Sequence, residues 1–363
     1  SAALYQLARR GLRVLGIDRF PPGHDRGSSH GQTRVIRKAY FEHPNYVPLL
    51  QRAYENWHQL EVEAGQKLFE RTGILEIGPP QGVLVPGVRS AARQYSLPLE
   101  ELSPAEVVQR FPGFAMPEEH IALYEPDAGF LHVEACVCNY VALAKRHGGQ
   151  LAIGQAVCDW RSRNGRVEVR SEQETYYADK LVVTAGAWAG ELLAESGISF
   201  RVLRKHLHWY ATPAYRIEQG SPVYFYETPD GCYYGFPSVD GRSTKVAEHS
   251  GGEPIGDPLQ LDRRLDVAER LRVERFLRGH LSRVEIKPLD HAVCMYTMSA
   301  DEHFVVDRHP LDPNVCFAAG LSGHGFKFAS ALGEILADWT QGKTNPLATQ
   351  FLAANREGIR WHS

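Results

Sequence analysis

The first 18 residues constrain the fold more than any other stretch of the chain. Residues 1–10 place apolar side chains at helical spacing, and Gly11 stands where a C-cap glycine ends a helix. A short apolar run, residues 12–17, then ends at Asp18. A helix followed by a strand that ends in an acid is typical of the second half of a βαβ dinucleotide-binding unit, whose acid accepts hydrogen bonds from ribose hydroxyls. The alternative is an ordinary amphipathic helix and strand, which is a common pair in α/β folds.

The first half of such a unit is a strand and a G-x-G-x-x-G turn that lead into the helix. Neither occurs in the sequence, which opens where the helix opens. We therefore expect the first strand and the glycine motif to precede residue 1. On this interpretation Asp18 is a candidate cofactor-binding residue.

The size and composition of the chain fit a globular protein of two domains. Its 363 residues exceed what one compact core usually holds. Hydrophobic residues are 43% and charged residues 23% of the sequence, which is ordinary for such proteins. The 40 basic and 43 acidic side chains leave a formal net charge of −3, so we expect neither a nucleic-acid partner nor a polybasic membrane partner. No run approaches the roughly 18 apolar residues of a membrane-spanning helix.

The six cysteines are scattered along the chain, so we expect reduced thiols in a cytoplasmic protein rather than a disulfide framework. Cys136 and Cys138 are separated by one residue and lack further ligands at suitable spacing, so we expect no metal site. The last four residues, 360–363, do not match an SKL-type peroxisomal address. The cytoplasm therefore stays the expected compartment.

Helical and strand signals predict an α/β fold made of two interleaved domains. Residues 1–75, 126–195 and 291–363 are assigned to a discontinuous Rossmann-like nucleotide-binding domain, because apolar strands followed by small-residue turns recur there. Residues 76–125 and 196–290 are assigned to a second, β-rich substrate domain with a mixed sheet and helices. Apolar periodicity or composition predicts helices over residues 46–64, 104–109, 133–147, 262–279 and 326–341.

Four segments then narrow the interpretation to one family. They read GSSHGQTRVIR (27–37), YYGFP (233–237), VCMYT (293–297) and SGHGFKF (322–328). Together, in this order and at this spacing, they resemble the family of monomeric sarcosine oxidase, which includes N-methyltryptophan oxidase and the pipecolate/sarcosine oxidases. The resemblance covers essentially the whole chain. It implies an FAD-binding domain, a substrate domain and flavin-dependent oxidation of an amine.

Cys294 is the residue with the sharpest implied role. In the family, the matching cysteine binds through sulfur to the 8α methyl group of FAD, a reaction that needs the thiolate. The alternative for a free cysteine is a buried structural residue. The resemblance favours the covalent attachment of FAD.

Other implied cofactor contacts come from Asp18, from residues 28–34 and from residues 320–327. The start of the helix after the glycine loop would stabilise negative charge on the reduced flavin, because helix N-termini present free N–H groups. Without the resemblance, that loop is a glycine-rich cap of a helix. The implied cofactor-binding residues are Cys294, Asp18, Ser28, Ser29, Thr33, Arg34, Gly320, Gly323, Gly325, Phe326 and Lys327.

The implied substrate site combines two cations with aromatic and imidazole groups. Arg37 and Lys327 match the family residues that bind the substrate carboxylate, which suits a zwitterionic amino acid. Tyr234, His249 and Tyr296 match residues on the substrate side and are interpreted as binding and orienting groups. For any one of these residues, the alternative is a surface charge or a packed aromatic side chain.

The catalytic candidates are Lys245, Arg34, Tyr234 and His249. Lys245 matches the lysine at which dioxygen reacts in the family, and a fixed cation there would stabilise superoxide-like charge. Arg34 is expected close to the flavin ring, where it would modulate the flavin potential. No general base stands out among these residues.

The implied reaction oxidises a secondary amine, such as sarcosine, to an imine that hydrolyses to an amine and an aldehyde, while dioxygen becomes hydrogen peroxide. N-methyltryptophan and pipecolate stay open as substrates, because residues 38–44 differ from the glycine-rich stretch of the bacterial sarcosine enzymes. Rival interpretations are a flavin dehydrogenase with another acceptor and a flavin-binding protein without turnover. The family suggests a monomer.

Overall fold

A computed structural model of the protein describes residues 1–359. Residues 360–363, on which part of the localisation argument rests, lie outside the described residues. The eight α-helices of the described range are α1 (Ala2–Arg9), α2 (Val47–Ala64), α3 (Leu84–Tyr95), α4 (Pro104–Arg110), α5 (Val133–Arg146), α6 (Ala189–Leu192), α7 (Val267–His280) and α8 (Ala329–Thr340).

The same range contains 20 β-strands, and the predicted α/β class is confirmed. They are β1 (Leu15–Asp18), β2 (Thr33–Ile36), β3 (Phe69–Glu70), β4 (Ile74–Gly78), β5 (Glu100–Leu102), β6 (Ile121–Glu125), β7 (Gly129–His132), β8 (Gln150–Ile153), β9 (Val157–Arg163), β10 (Arg166–Ser171), β11 (Thr175–Ala178), β12 (Leu181–Val183), β13 (Arg201–Ala211), β14 (Val223–Thr228), β15 (Gly231–Gly235), β16 (Ser243–Glu248), β17 (Glu253–Ile255), β18 (Pro288–Met298), β19 (Val305–His309) and β20 (Asp312–Ala319).

The beginning and the end of the chain pack together around α1. The predicted helix and strand at the start are confirmed as α1 and β1, and β1 ends at Asp18. β1 pairs in parallel with β8, and β12 pairs in parallel with β20. α1 packs against α5 and α8, because its buried face carries Leu4, Tyr5, Leu7 and Ala8. Parallel strands covered by helices are the arrangement that a dinucleotide-binding domain requires.

A nine-stranded sheet forms the second large unit. Its strands run in the order β17-β13-β16-β15-β14-β4-β6-β5. The ninth strand, β18, also pairs with β13, along residues 201–210. Only the β14–β4 pair is parallel among its ladders. Buried aromatic side chains pack between this sheet and α7, namely Tyr210, Tyr224, Tyr226, Tyr233 and Phe276. β18 crosses the predicted boundary at residue 291, and the division into two domains stays a prediction.

Helix α3 was not predicted, because residues 79–87 are rich in proline and glycine. Pro86 falls in the first turn of α3, where a helix needs no backbone N–H donor from it. The carboxylate of Glu227 accepts the N–H groups of Val83 and Leu84 at 2.9 and 2.8 Å. This distant residue supplies the cap, so no local pattern could reveal the start of the helix.

The remaining helix predictions differ from the structure mainly at their ends. The helix predicted over residues 262–279 begins at Val267, because Asp266 accepts the N–H groups of Ala268 and Glu269 and caps it. No helix within residues 1–359 is both long and apolar enough to cross a membrane. The six cysteines are free thiols.

A glycine fixes the distance between the first and the last helix. A Cβ atom at Gly333 in α8 would lie 2.8 Å from the carbonyl carbon of Ala2 and 2.9 Å from its Cβ. Backbone atoms cannot move aside as a flexible side chain can, so the two helices approach this closely only because residue 333 is glycine.

We predict that Gly333→Ala lowers the free energy of unfolding by about 1–3 kcal/mol, because the added methyl group overpacks the α1–α8 contact. Gly279→Ala is the matched control, since Gly279 lies in α7 with open space around it. The control should keep or raise stability, because alanine favours helix over glycine by about 1 kcal/mol. Urea unfolding followed by circular dichroism measures both variants, and equal stability of the two would contradict the prediction.

Candidate active site

Cys294 lies where the loop before β2 meets the large sheet. It is 1% exposed on β18, and Lys205 is its partner across the ladder on β13. Arg34 donates through Nη2 to Cys294 Sγ at 3.4 Å and to the Ser28 carbonyl at 2.8 Å. The hydroxyl of Ser28 donates to the carbonyl of Met295 at 2.7 Å. The structure thus brings the predicted residues Ser28, Arg34 and Cys294 together.

Lys245 is buried beneath the same loop. Its Nζ donates to the carbonyls of Gly31 and Thr33 at 2.6 and 2.8 Å, and to the Thr33 hydroxyl at 3.2 Å. It also lies 4.6 Å from the centre of the Phe236 ring. Burial, and next the guanidinium of Arg34, lower the pKa of Lys245 well below its ordinary value. Lys245 therefore anchors the predicted cofactor loop through neutral oxygens.

Arg37 is buried between carboxylates and aromatic rings. Its Nη2 donates to Glu42 at 2.7 Å, and its Nε lies 3.2 Å from Glu76 Oε1. The centres of the Phe41 and Tyr40 rings lie 4.6 and 4.7 Å from its guanidinium carbon. Glu76 is fully buried, and burial raises the pKa of Glu76 to about 8. Burial thus favours the protonated form of Glu76, and the shorter contact of Arg37 is the one with Glu42.

Lys327, near the end of the chain, also contacts Tyr40. Its Nζ donates to the Tyr40 hydroxyl at 3.1 Å and to the His324 carbonyl at 2.9 Å, and lies 5.1 Å from the Tyr40 ring centre. Burial, and next the charge of Arg37, lower the pKa of Lys327 to about 7. Arg37 and Lys327 thus both lie against the Tyr40 ring.

Tyr234, His249 and Tyr296 form a neighbouring aromatic group. Nδ1 of His249 lies 3.4 Å from the Tyr296 hydroxyl, and its ring centre lies 6.3 Å from that of Tyr234. Burial lowers the pKa of His249 to about 3 and raises the pKa of both tyrosines. All three side chains are therefore uncharged at neutral pH and offer neutral hydrogen-bonding groups.

Lys205 belongs to this region, although sequence reasoning missed it. It is 2% exposed, and its Nζ donates to three consecutive carbonyls, those of His249, Ser250 and Gly251, at 3.2, 2.7 and 3.1 Å. It also lies 5.3 Å from the Tyr296 ring centre. Lys205 therefore holds the turn that carries His249. A lysine in the interior of a long strand was the available signal.

Gly323 fits the loop closely against Tyr296. Its φ angle is 80°, and a Cβ atom there would lie 2.3 Å from Tyr296 Cδ2. The neighbouring N–H of Ser322 donates to the Thr297 carbonyl at 2.9 Å and ties the loop to β18. The glycine is therefore required both by backbone conformation and by space.

The helix predicted over residues 326–341 begins differently from the prediction. Gly325 is the N-cap of a 3₁₀ turn, Phe326–Phe328, and α8 follows from Ala329. Lys327 lies in this tight turn, which directs its side chain into the buried cluster with Tyr40. Gly320, at the start of the loop, has a φ angle of 56°.

Two predicted cofactor residues lie apart from these contacts. Asp18 is exposed at the end of β1 and accepts the N–H of Phe20 at 2.9 Å. Ser29 is exposed beside Ser28. Their positions leave both side chains accessible to a ligand.

Sequence reasoning also missed Tyr40, Glu42, Glu76 and His324. His324 lies inside the SGHGFKF segment, and Tyr40 and Glu42 lie in residues 38–44, which were considered only for the choice of substrate. The sequence signal for Glu76 was weaker, because it is a single acidic residue within the apolar run that forms β4.

Several known proteins are similar to this chain in sequence. The family profile of FAD-dependent oxidoreductases matches residues 1–339. Monomeric sarcosine oxidase of Bacillus sp. (strain B-0618) is 38% identical over an alignment of 351 residues that covers 94% of this chain and 90% of that protein. N-methyl-L-tryptophan oxidase of Yersinia pestis (strain Pestoides F) is 38% identical over 350 residues, which are 96% of this chain and 93% of that protein.

Solved structures show the same fold at lower identity. NikD, an unusual amino acid oxidase essential for nikkomycin biosynthesis, superposes with a TM-score of 0.85 at 22% identity, covering 97% of this chain and 93% of that one. Glycine oxidase from Geobacillus kaustophilus superposes with a TM-score of 0.82 at 18% identity, covering 98% and 95%.

We predict that Lys205→Met lowers the free energy of unfolding by about 1–3 kcal/mol, because three carbonyls lose a shared donor. Hydrogen exchange at the amides of residues 249–252 should become faster than in the wild type. Lys180→Met is the control, since Lys180 is exposed and its loss should change stability by less than about 0.5 kcal/mol. Unchanged exchange in Lys205→Met would show that the turn holds without the lysine.

Proposed function

The chain belongs to the FAD-dependent oxidoreductases and is a flavin-dependent amine oxidase, and we propose that it oxidises a small N-methyl amino acid, such as sarcosine, with dioxygen as acceptor. The products are an imine, which hydrolyses to an amine and an aldehyde, and hydrogen peroxide. The observation that carries this proposal is the meeting of Arg37 and Lys327 at the Tyr40 ring. Two buried cations at one place suit the carboxylate of an amino acid.

The residues around Cys294 fit a bound FAD. The Cys294 thiol lies 3.4 Å from Arg34 Nη2 and faces the loop that carries Ser28, so it lies among the predicted cofactor-binding residues. FAD would supply the acceptor for the two electrons that leave the substrate. The proposed cofactor-binding residues remain Cys294, Asp18, Ser28, Ser29, Thr33, Arg34, Gly320, Gly323, Gly325, Phe326 and Lys327.

The substrate carboxylate is proposed to bind between Arg37 and Lys327. Glu42 now pairs with Arg37, so the substrate carboxylate would share or replace that contact. Because burial favours the protonated form of Glu76, Arg37 keeps positive charge for an anionic ligand. The neutral groups of Tyr234, His249 and Tyr296 are proposed to orient the amine end.

Lys245 is proposed to act in the reaction with dioxygen. Its Nζ is held by three oxygens of the cofactor loop and is buried against Phe236. Such a group cannot reorient freely, and in its protonated form it would stabilise the negative charge that dioxygen gains on reduction. Arg34, between Lys245 and Cys294, adds a second positive charge to this side.

The attachment of FAD through Cys294 is tested by denaturing the FAD-loaded protein in acid. We predict that yellow flavin stays with the precipitated wild type and washes off Cys294→Ala, because only a covalent bond survives denaturation. Cys316→Ala is a matched buried control and should keep the flavin. Flavin that washes off the wild type would make Cys294 a structural residue.

The reaction is tested by mixing the enzyme anaerobically with sarcosine, N-methyltryptophan or pipecolate, and then with oxygen. Sarcosine should bleach the flavin fastest, and oxygen should restore the colour with formation of peroxide. Lys245→Met should slow this second step at least about tenfold more than the first, because a buried charge next to the acceptor is lost.

Equal slowing of both steps in Lys245→Met would contradict the role of this lysine in the reaction with dioxygen. Fast bleaching followed by slow reoxidation in the wild type would instead indicate a dehydrogenase with another acceptor. Absence of bleaching by all three amines would contradict the proposed substrate class.

A further inference from the structure

Residues 31–33 of the cofactor loop (residues 28–34) hold two basic side chains of the site. Lys245 Nζ donates to the carbonyls of Gly31 and Thr33 at 2.6 and 2.8 Å. The Thr33 carbonyl also accepts from Arg34 Nη1 at 2.9 Å. The positions of both basic groups therefore depend on the backbone conformation of these three residues.

This backbone conformation is unfavourable by itself. Gln32 has a φ angle of 70°, in the left-handed region that residues with a side chain rarely adopt. Gly31 has a φ angle of 87°, and a Cβ atom there would lie 2.5 Å from Leu207 Cδ1. The N–H of Thr33 donates back to the Gly31 carbonyl at 2.9 Å and closes a tight turn. Such a turn persists only where surrounding contacts hold it.

Glu134, in the first turn of α5, supplies contacts of this kind. Its Oε1 accepts the N–H groups of Gly31 and Gln32 at 2.7 and 3.1 Å. The N–H of Val133 donates to the Gln32 carbonyl at 3.0 Å. Successive N–H groups that converge on one carboxylate oxygen bind it as they bind an anion. The start of α5 is a favourable place for that charge, so the carboxylate joins the helix to the loop.

The other contacts of the turn are less direct. Trp209 Nε1 donates to Gln32 Oε1 at 2.9 Å, so it holds the side chain and not the backbone. Lys245 bonds the loop as well, but its own position is what the loop carbonyls fix. Glu134 is thus the side chain that engages the backbone of both residues with positive φ angles.

We propose that Glu134 is a positioning residue for the reaction with dioxygen, and that it holds residues 31–33 so that their carbonyls fix Lys245 and Arg34. This inference rests on the proposed function, because Lys245 is the group that acts on dioxygen there. Glu134 itself contacts neither substrate nor dioxygen, and it acts through the backbone of the loop.

Glu134 has a charge as well as a position, and the two effects need to be separated. Burial, and next Arg34, lower the pKa of Lys245, and the negative charge of Glu134 opposes that lowering. Glu134→Gln keeps an acceptor oxygen at the same reach but removes the charge. Glu134→Asp keeps the charge, but it is shorter by one methylene group, so its oxygens fall short of the two N–H groups. Both variants keep a polar side chain at the start of α5, so both are expected to fold.

Glu61→Asp is the matched control. Glu61 Oε1, on α2, accepts the N–H groups of Leu68 and Phe69 at 2.7 and 2.8 Å, in the same manner as Glu134 but outside the cofactor loop. Shortening Glu61 therefore removes the same kind of contact without disturbing residues 31–33.

The first measurement is hydrogen exchange in the FAD-loaded protein. The amides of Gly31 and Gln32 should exchange at least about tenfold faster in Glu134→Asp and within about threefold of the wild type in Glu134→Gln. Glu61→Asp should speed exchange at residues 68 and 69 and leave residues 31 and 32 unchanged.

The second measurement follows the two half-reactions. Glu134→Asp should slow the reaction of reduced flavin with dioxygen about tenfold, because small displacements of a catalytic group have effects of this size. Its rate of flavin reduction by sarcosine should change less than about threefold. Glu134→Gln and Glu61→Asp should keep the wild-type ratio of the two rates. In the Lys245→Met background, Glu134→Asp should cause no further slowing, because it acts through that lysine.

Four results would each overturn the inference. Glu134→Asp could leave the exchange of residues 31 and 32 unchanged, or speed it without slowing the oxygen step. Glu134→Gln could slow the oxygen step as much as Glu134→Asp, which would make charge and not position the cause. Slowing by Glu134→Asp could also persist in the Lys245→Met background.

Failure of the proposed function shows differently, as a wild type that no N-methyl amino acid bleaches. Flavin reduced by light in the presence of EDTA then replaces flavin reduced by the amine. The oxygen step of the wild type and of the Glu134 variants is measured on that reduced protein, and the same four results decide the inference.

Discussion

The site depends on one constraint, which is that lysine side chains are buried away from water. Lys205, Lys245 and Lys327 are each at most 5% exposed, and burying an isolated cation is costly unless donors find partners. Each Nζ donates mainly to backbone carbonyls and hydroxyls, not to a carboxylate. Neutral partners satisfy the N–H groups without forming ion pairs, so burial lowers the pKa of all three lysines.

Local patterns were sufficient for much of the fold. The order of helix, strand and acid at the start predicted α1, β1 and Asp18, because apolar periodicity and a C-cap glycine act within a few residues. Patterns were insufficient where a distant side chain completes an element. Helix α3 needs Glu227 at its N-terminus, and a carboxylate contributed by another strand leaves no trace in the local sequence.

The same limit applies to the site. The motifs predicted that Arg37, Lys327, Cys294 and Arg34 carry chemistry, and the structure brings them into two adjoining clusters. The motifs did not reveal which groups hold them. Tyr40 and Lys205 lie outside the four motifs. Their importance arises from partners that only the tertiary fold brings near, such as the carbonyls of residues 249–251. Protonation states are equally invisible in sequence, because burial decides them.

The contact between Tyr40 and Lys327 has a consequence for how the protein matures during synthesis. Residues of the cluster come from near the beginning, the middle and near the end of the chain. A growing polypeptide therefore cannot assemble the site while its C-terminal part is still in the ribosome, and contacts of such long sequence separation form slowly. The Tyr40–Lys327 contact joins residues 287 positions apart, so it can form only after the segment that carries Lys327 has left the ribosome.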